Sequence, residues 1–177
     1  MIRAELIENR VVVWNIEDSR KLYSEGFYGK PLGVPKPKGT NFDSPLILDL
    51  IEALYLLKKK KIVIYHKKLN VSYKELVKRC EKEYVGFKEK FIVYQNLRDL
   101  GYVVAPGIKF GCDFAVYKKG PGIDHAPFLV DVMKPNDYVT ATSMVLSGRL
   151  ATTVRKQFVI ASVGRIPQYI SFDWWKG

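Results

Sequence analysis

Only two cysteines, Cys80 and Cys112, and two histidines, His66 and His125, occur in the 177 residues. Two cysteines exclude a disulfide framework and a structural zinc site. With apolar or charged-helix neighbours, both read as buried free thiols of a reducing compartment. Long apolar runs are also missing, and no stretch approaches a membrane span. The N-terminal MIRAELIENRVVVW sets acidic residues before an apolar run too short for a secretory segment. The expectation is a soluble cytoplasmic protein with no membrane partner. Negative charge is scarce: 18 Asp and Glu stand against 29 Lys and Arg, a net charge of +11. That excess points to a polyanionic partner, nucleic acid first. An anionic membrane would need a basic amphipathic anchor or a lipidation motif, and the chain has neither.

Apolar residues make up 47% of the chain, enough for a packed globular protein. The length suits one sizeable core or two small domains. RVVVWNI (10–16) reads as a β-branched strand paired with the segment before it. Glu17-Asp18-Ser19 reads as a turn able to cap a short helix. GFYGKPLGVPKPKG (26–39) is too rich in Gly and Pro for a long regular element. Ser44 as N-cap and Pro45 at the first helical position predict a helix carrying Leu46, Leu50, Ala53, Leu54 and Leu57, closed by Lys58 to Lys61. Ile62 to Tyr65 is a short strand. Ser72 and Glu75 match a capping box for a helix through Glu83. A further helix spans about 88–100, with Gly101 placed as its C-cap glycine. After a strand from Tyr102, strands are expected over 112–117, 128–133, 158–163 and 169–172, with a helix over 140–155. The pattern is α+β or α/β in two small domains: a mixed α/β domain over 1–85, and a domain over 86–177 with a central mixed sheet flanked by helices.

The stretch GIKFGCDFAVYKKGPGIDHAPFLVDVMK (107–134) concentrates the chemistry. It reads as strand, Gly/Pro loop, strand. Tyr117 ends the first strand and His125 lies on the loop among lysines. Such a set suits acid–base work on a phosphodiester; a surface histidine on a hairpin loop is the plain alternative. His66, between Tyr65 and Lys67, reads as a solvated or phosphate-touching residue.

LRDLGYVVAPGIKFGCDFAVYKKGPGIDHAPFLV and, later, GRLATTVRKQFVIASV resemble the archaeal tRNA-splicing endonuclease family. The likeness rests on the ordered set: a helix ending in "LR–GY", a "G-K-G-DF---Y" strand, a Pro/Gly loop with one histidine, and a helix ending in "R--A--VRK". The resemblance implies that the second domain is the nuclease domain and that Tyr117, His125 and Lys156 are its catalytic residues. It also implies metal-independent, cofactor-free cleavage of precursor tRNA at bulge-helix-bulge splice sites, giving a 2′,3′-cyclic phosphate and a 5′-hydroxyl. Arg149 falls at the position of an arginine that stacks on a flipped-out base. The family's second stacking arginine has no counterpart after Arg165, where Phe172, Trp174 and Trp175 stand instead. Self-assembling members carry an acidic loop between the last strands, whereas Ser162 to Pro167 holds no carboxylate. A catalytic subunit paired with a homologous, acidic-looped structural subunit in a two-plus-two tetramer is therefore expected.

Two other readings compete. A metal-dependent, restriction-enzyme-like nuclease would use Asp113, Asp131 and Lys134, although Asp131 and Lys134 fall on opposite faces of a strand. A non-catalytic RNA-binding subunit of the same assembly would not need Tyr117, His125 and Lys156 together.

Overall fold

The computed structural model describes residues 1–34, 37, 39–123 and 125–172. The chain is α+β and divides into two compact units, Met1–Phe87 and Lys88–Gly177. Among the described residues no helix is long and apolar enough to cross a membrane.

The first unit contains β1 (Ile2–Ile7), β2 (Arg10–Val13), α1 (Ile16–Gly26), β3 (Lys30–Pro31), β4 (Leu46–Leu48), α2 (Leu50–Lys58), β5 (Ile62–His66), β6 (Leu69–Asn70) and α3 (Tyr73–Glu83). Its strands form one mixed sheet in the order β3-β4-β2-β1-β5-β6, with β1 and β5 parallel. Alternate residues Ala4, Leu6, Ile62 and Ile64 are buried on one face of the sheet, as period-2 patterning requires. The 11-residue α1 is longer than the short helix expected and is capped by Asn15, whose side chain accepts from Asp18 N.

The helix predicted from Ser44 is corrected. Leu46–Leu48 is strand β4, paired with β2 and β3, and α2 starts only at Leu50. Asp49 and Glu52 form a reciprocal capping box there, which outcompetes the Ser44-Pro45 signal. Ser44 caps nothing: its Oγ is buried with no hydrogen-bond partner among the described residues. The amide of Leu46 instead donates to the Ser19 hydroxyl at 3.1 Å, fixing β4 beside α1. The expected capping box of Ser72 and Glu75 is present at the head of α3.

The second unit contains α4 (Phe87–Asp99), β7 (Val103–Pro106), a 3₁₀ turn (Ile108–Phe110), β8 (Phe114–Tyr117), β9 (Phe128–Met133), α5 (Ala141–Thr153), β10 (Gln157–Val163) and β11 (Pro167–Phe172). Gly101, at φ +88°, ends α4 in a Schellman pair: Gly101 N donates to Arg98 O and Tyr102 N to Leu97 O, both at 3.0 Å. Arg98 is buried, and its guanidinium donates to the Tyr94 hydroxyl and to Val104 O, both at 3.0 Å, tying α4 to β7. The five strands run β11-β10-β9-β8-β7. Only β9 and β10 are parallel, which requires the crossover that α5 supplies.

Candidate active site

Strand direction brings the candidate residues to one edge of this sheet. β8 and β9 are antiparallel, so the end of β8 lies beside the start of β9. β9 and β10 are parallel, so their starts lie side by side. Val116 pairs with Phe128, and Phe128 with Gln157. One step beyond, Tyr117, Pro127 and Lys156 fall in a row, and the Gln157 amide donates to Pro127 O at 2.8 Å. At the usual strand spacing, the Tyr117 and Lys156 backbones are about 10 Å apart, a gap their long side chains can span. His125 precedes Pro127 by two residues.

The three positions of that row also share a face. Ala115, Leu129 and Phe158, two residues inward from Tyr117, Pro127 and Lys156, are paired across the strands and buried in one cluster with Ala151 of α5. Period-2 alternation then turns Tyr117 and Lys156 to the same side, and Tyr117 packs against that cluster. Lys156 is half-buried and donates from Nζ to the carbonyl of Ala126 at 2.8 Å, next to His125. Its ammonium also lies over the Phe110 ring, 5.5 Å from the centroid. His125 is exposed. Lys118, Lys119 and Arg155, next in sequence to Tyr117 and Lys156, are exposed and make the edge cationic. A cationic edge of this kind suits an anionic ligand.

Arg149 is exposed on α5, one turn before the helix end, where Thr153 Oγ1 donates to its carbonyl at 2.9 Å. Trp174 and Trp175, considered as substitute stacking groups, lie outside the described residues, as does Asp124 in the His125 loop. The expected surface role of His66 is narrowed, because its Nδ1 contacts Leu6 O at 2.9 Å. A carbonyl only accepts, so that nitrogen carries the proton and the ring ties β5 to β1.

The acidic pair sits at the other end of β8. Asp113 Oδ2 accepts from Val132 N at 2.9 Å, Asp113 Oδ1 pairs with Lys90 at 2.7 Å, and Asp131 Oδ1 accepts from Asp113 N at 3.2 Å. Burial raises the Asp131 pKa and the Asp113 charge adds to it, while the Asp113 N–H bond and Lys90 oppose them. Lys134 lies beyond β9 and 4.0 Å from Glu89. Among the described residues no three His, Cys, Asp or Glu side chains come together to hold a metal ion. Burial pushes both thiols up to about 12, which keeps them protonated and inert.

One residue of the site had no role in the sequence reading. Phe110 lies in a loop between strands, where an aromatic carries no periodicity signal. The bracketing glycines Gly107 and Gly111 were the only hint that its position is tightly set.

Residues 87–168 match the family described as tRNA intron endonuclease, catalytic C-terminal domain, and residues 2–77 match tRNA intron endonuclease, N-terminal domain. A tRNA-splicing endonuclease of Hyperthermus butylicus is 47% identical over 165 residues, covering 93% of this chain and 91% of its own. Proteins of the same name from Sulfurisphaera tokodaii and Saccharolobus solfataricus are each 40% identical, covering 97% and 99% of this chain and 98% and 100% of their own.

Proposed function

Because this chain belongs to the tRNA intron endonuclease family, we propose that it is the catalytic subunit of an endoribonuclease that removes introns from precursor tRNA at bulge-helix-bulge sites. Cleavage belongs to the second unit and leaves a 2′,3′-cyclic phosphate and a 5′-hydroxyl. The 2′-hydroxyl at the splice site attacks the adjacent phosphorus. Tyr117 takes its proton as the 2′-O–P bond forms, and the P–O5′ bond breaks. Imidazolium at His125 gives its proton to the departing 5′-oxygen as general acid. A phenol is a weak base near pH 7, and cations beside it favour the phenolate. Lys156 meets the charge that grows on the non-bridging oxygens. Every proton and charge is handled by these three side chains, so no step requires a metal.

The observation that carries this reading is the strand register: the Tyr117 end of β8 and the starts of β9 and β10 lie in one row. The hydrogen bond from Lys156 to Ala126, beside His125, tightens it. The metal-nuclease alternative is disfavoured because Asp113 and Asp131 are committed to backbone amides and to Lys90 at the far end of β8. Arg149, exposed on α5, is assigned to stacking on an unpaired base of the bulge, since A-form grooves offer side chains little to read.

The test is cleavage of an intron-containing tRNA precursor in excess chelator, with the 3′ ends analysed and a candidate partner subunit present. Cyclic-phosphate ends at an undiminished rate are expected. Cleavage that stops in chelator and returns with magnesium would move the chemistry to the two aspartates.

A further inference from the structure

The loop between β7 and β8 is a closed turn. Gly107 O accepts from Phe110 N at 2.8 Å, and Gly107 N donates to Asp113 O at 2.9 Å. A side chain at Gly107 would place its Cβ 2.5 Å from Cys112 Sγ and 2.6 Å from Cys112 O, so only glycine lets the turn close. The Asp113 carboxylate, held by Val132 N and Lys90, anchors the turn's end to β9 and α4. The turn is therefore rigid, and it presents one large side chain, Phe110, to the Lys156 ammonium. Phe110 packs against the same buried cluster as Tyr117.

We propose that Phe110 is a positioning residue for the cleavage reaction, its ring and the Ala126 carbonyl together holding the Lys156 ammonium protonated and aimed at the scissile phosphate. This rests on the role assigned to Lys156 above. Both contacts favour the charged amine: the π face attracts a cation and the carbonyl accepts its N–H. They also restrict a long flexible stem whose free rotation would blur the point charge. Among the described residues, the other titratable groups at this edge are Tyr117 on β8, Lys118 and Lys119 after it, His125 on the loop and Arg155 beside Lys156, while the Cys112 thiol packs against the same buried cluster. Cys112 stays neutral across the working range, with its pKa at about 12.

The test compares Phe110→Leu with Phe110→Tyr in the assembled, cleaving complex. The titration of Lys156 is followed by the 13C shift of its ε-carbon, assigned by its loss in Lys156→Ala. Phe110→Leu is expected to lower the Lys156 midpoint by roughly half a pH unit or more, the size of a cation–π contact expressed as a pKa. Single-turnover cleavage should fall about 10-fold, as expected for a misplaced charge, with affinity for precursor tRNA unchanged. Phe110→Tyr keeps the ring and should retain both the midpoint and the rate. A midpoint unmoved in Phe110→Leu, or an equal loss of rate in both variants, overturns the proposal. Lys156→Ala cleaving at the wild-type rate overturns it through its premise, and is distinguishable because the Phe110→Leu midpoint would still shift.

Discussion

At the scale of single residues, the proposed mechanism divides two proton transfers between side chains of different acidity. His125 and Tyr117 therefore differ in what can replace them. His125→Ala is expected to lower cleavage by about 10²–10⁴-fold, the usual contribution of a general acid. A precursor with sulfur in place of the leaving 5′-oxygen needs no protonation on departure. It should restore much of the rate in His125→Ala and none in Tyr117→Phe. Wild-type cleavage by His125→Ala would return the chain to the non-catalytic RNA-binding reading, and absence of rescue would remove the acid role. The residue types were legible in the sequence, because a lone loop histidine amid lysines and a strand-end tyrosine are visible in one dimension. The placement of Lys156 beside the histidine loop was not, since 30 residues separate Ala126 from the lysine that hydrogen-bonds it.

At the scale of elements, β8 is a four-residue strand with the proposed chemistry at its end and a carboxylate staple at its start. Asp113 and Asp131 face each other there, joined through backbone amides and Lys90. Asp131 is raised mainly by burial and then by the Asp113 charge. Its folded pKa thus lies above the unfolded value, and the native state binds the extra proton. Stability contributed by this group is present at low pH and falls as pH rises through the folded pKa. Asp131→Asn keeps an oxygen for Asp113 N and removes the charge. Its melting temperature should exceed wild type at pH 7–8, with the gap closing as pH drops below the ordinary carboxylate range. A variant less stable than wild type at pH 8 would show that the Lys90 attraction dominates. Element assignment from sequence succeeded where the cap was local, as at Ser72 and Gly101. It failed at Ser44, because a strand partner and a hydrogen bond from Leu46 to Ser19, 27 residues away, claimed the segment first. Propensity is a weak prior against such pairing.

At the scale of the whole molecule, the second unit leaves apolar surface uncovered. Edge strand β11 has Ile170 51% exposed, and Ile166, just before it, is 71% exposed. On α5, Val145, Leu146 and Leu150 are exposed, and only Ala151 is buried. A strand edge unpaired among the described residues and an apolar helix face invite a partner. The connection from β10 to β11 is only residues 164–166 and contains no carboxylate. We propose that a homologous, acidic-looped subunit covers this surface in a two-plus-two assembly. Light scattering on the purified chain should show no tetramer until that subunit is added, and cleavage should appear with the heterotetramer. A homotetramer of this chain alone, active on precursor tRNA, would sink the assembly reading.

What the sequence by itself determined is what local chemistry and composition decide: a basic, globular chain of mixed helix and strand, most of its helices, the caps at Ser72 and Gly101, and the types of side chain available. These depend on neighbours within a few positions, where periodicity and capping act. The tertiary structure alone decided that β9 and β10 run parallel, and hence that their starts share an edge with the end of β8. It also placed Phe110 against Lys156 and turned two suggestive aspartates into a structural staple. Strand order and register are set by burial summed over the entire sheet, and no short stretch of chain carries that sum.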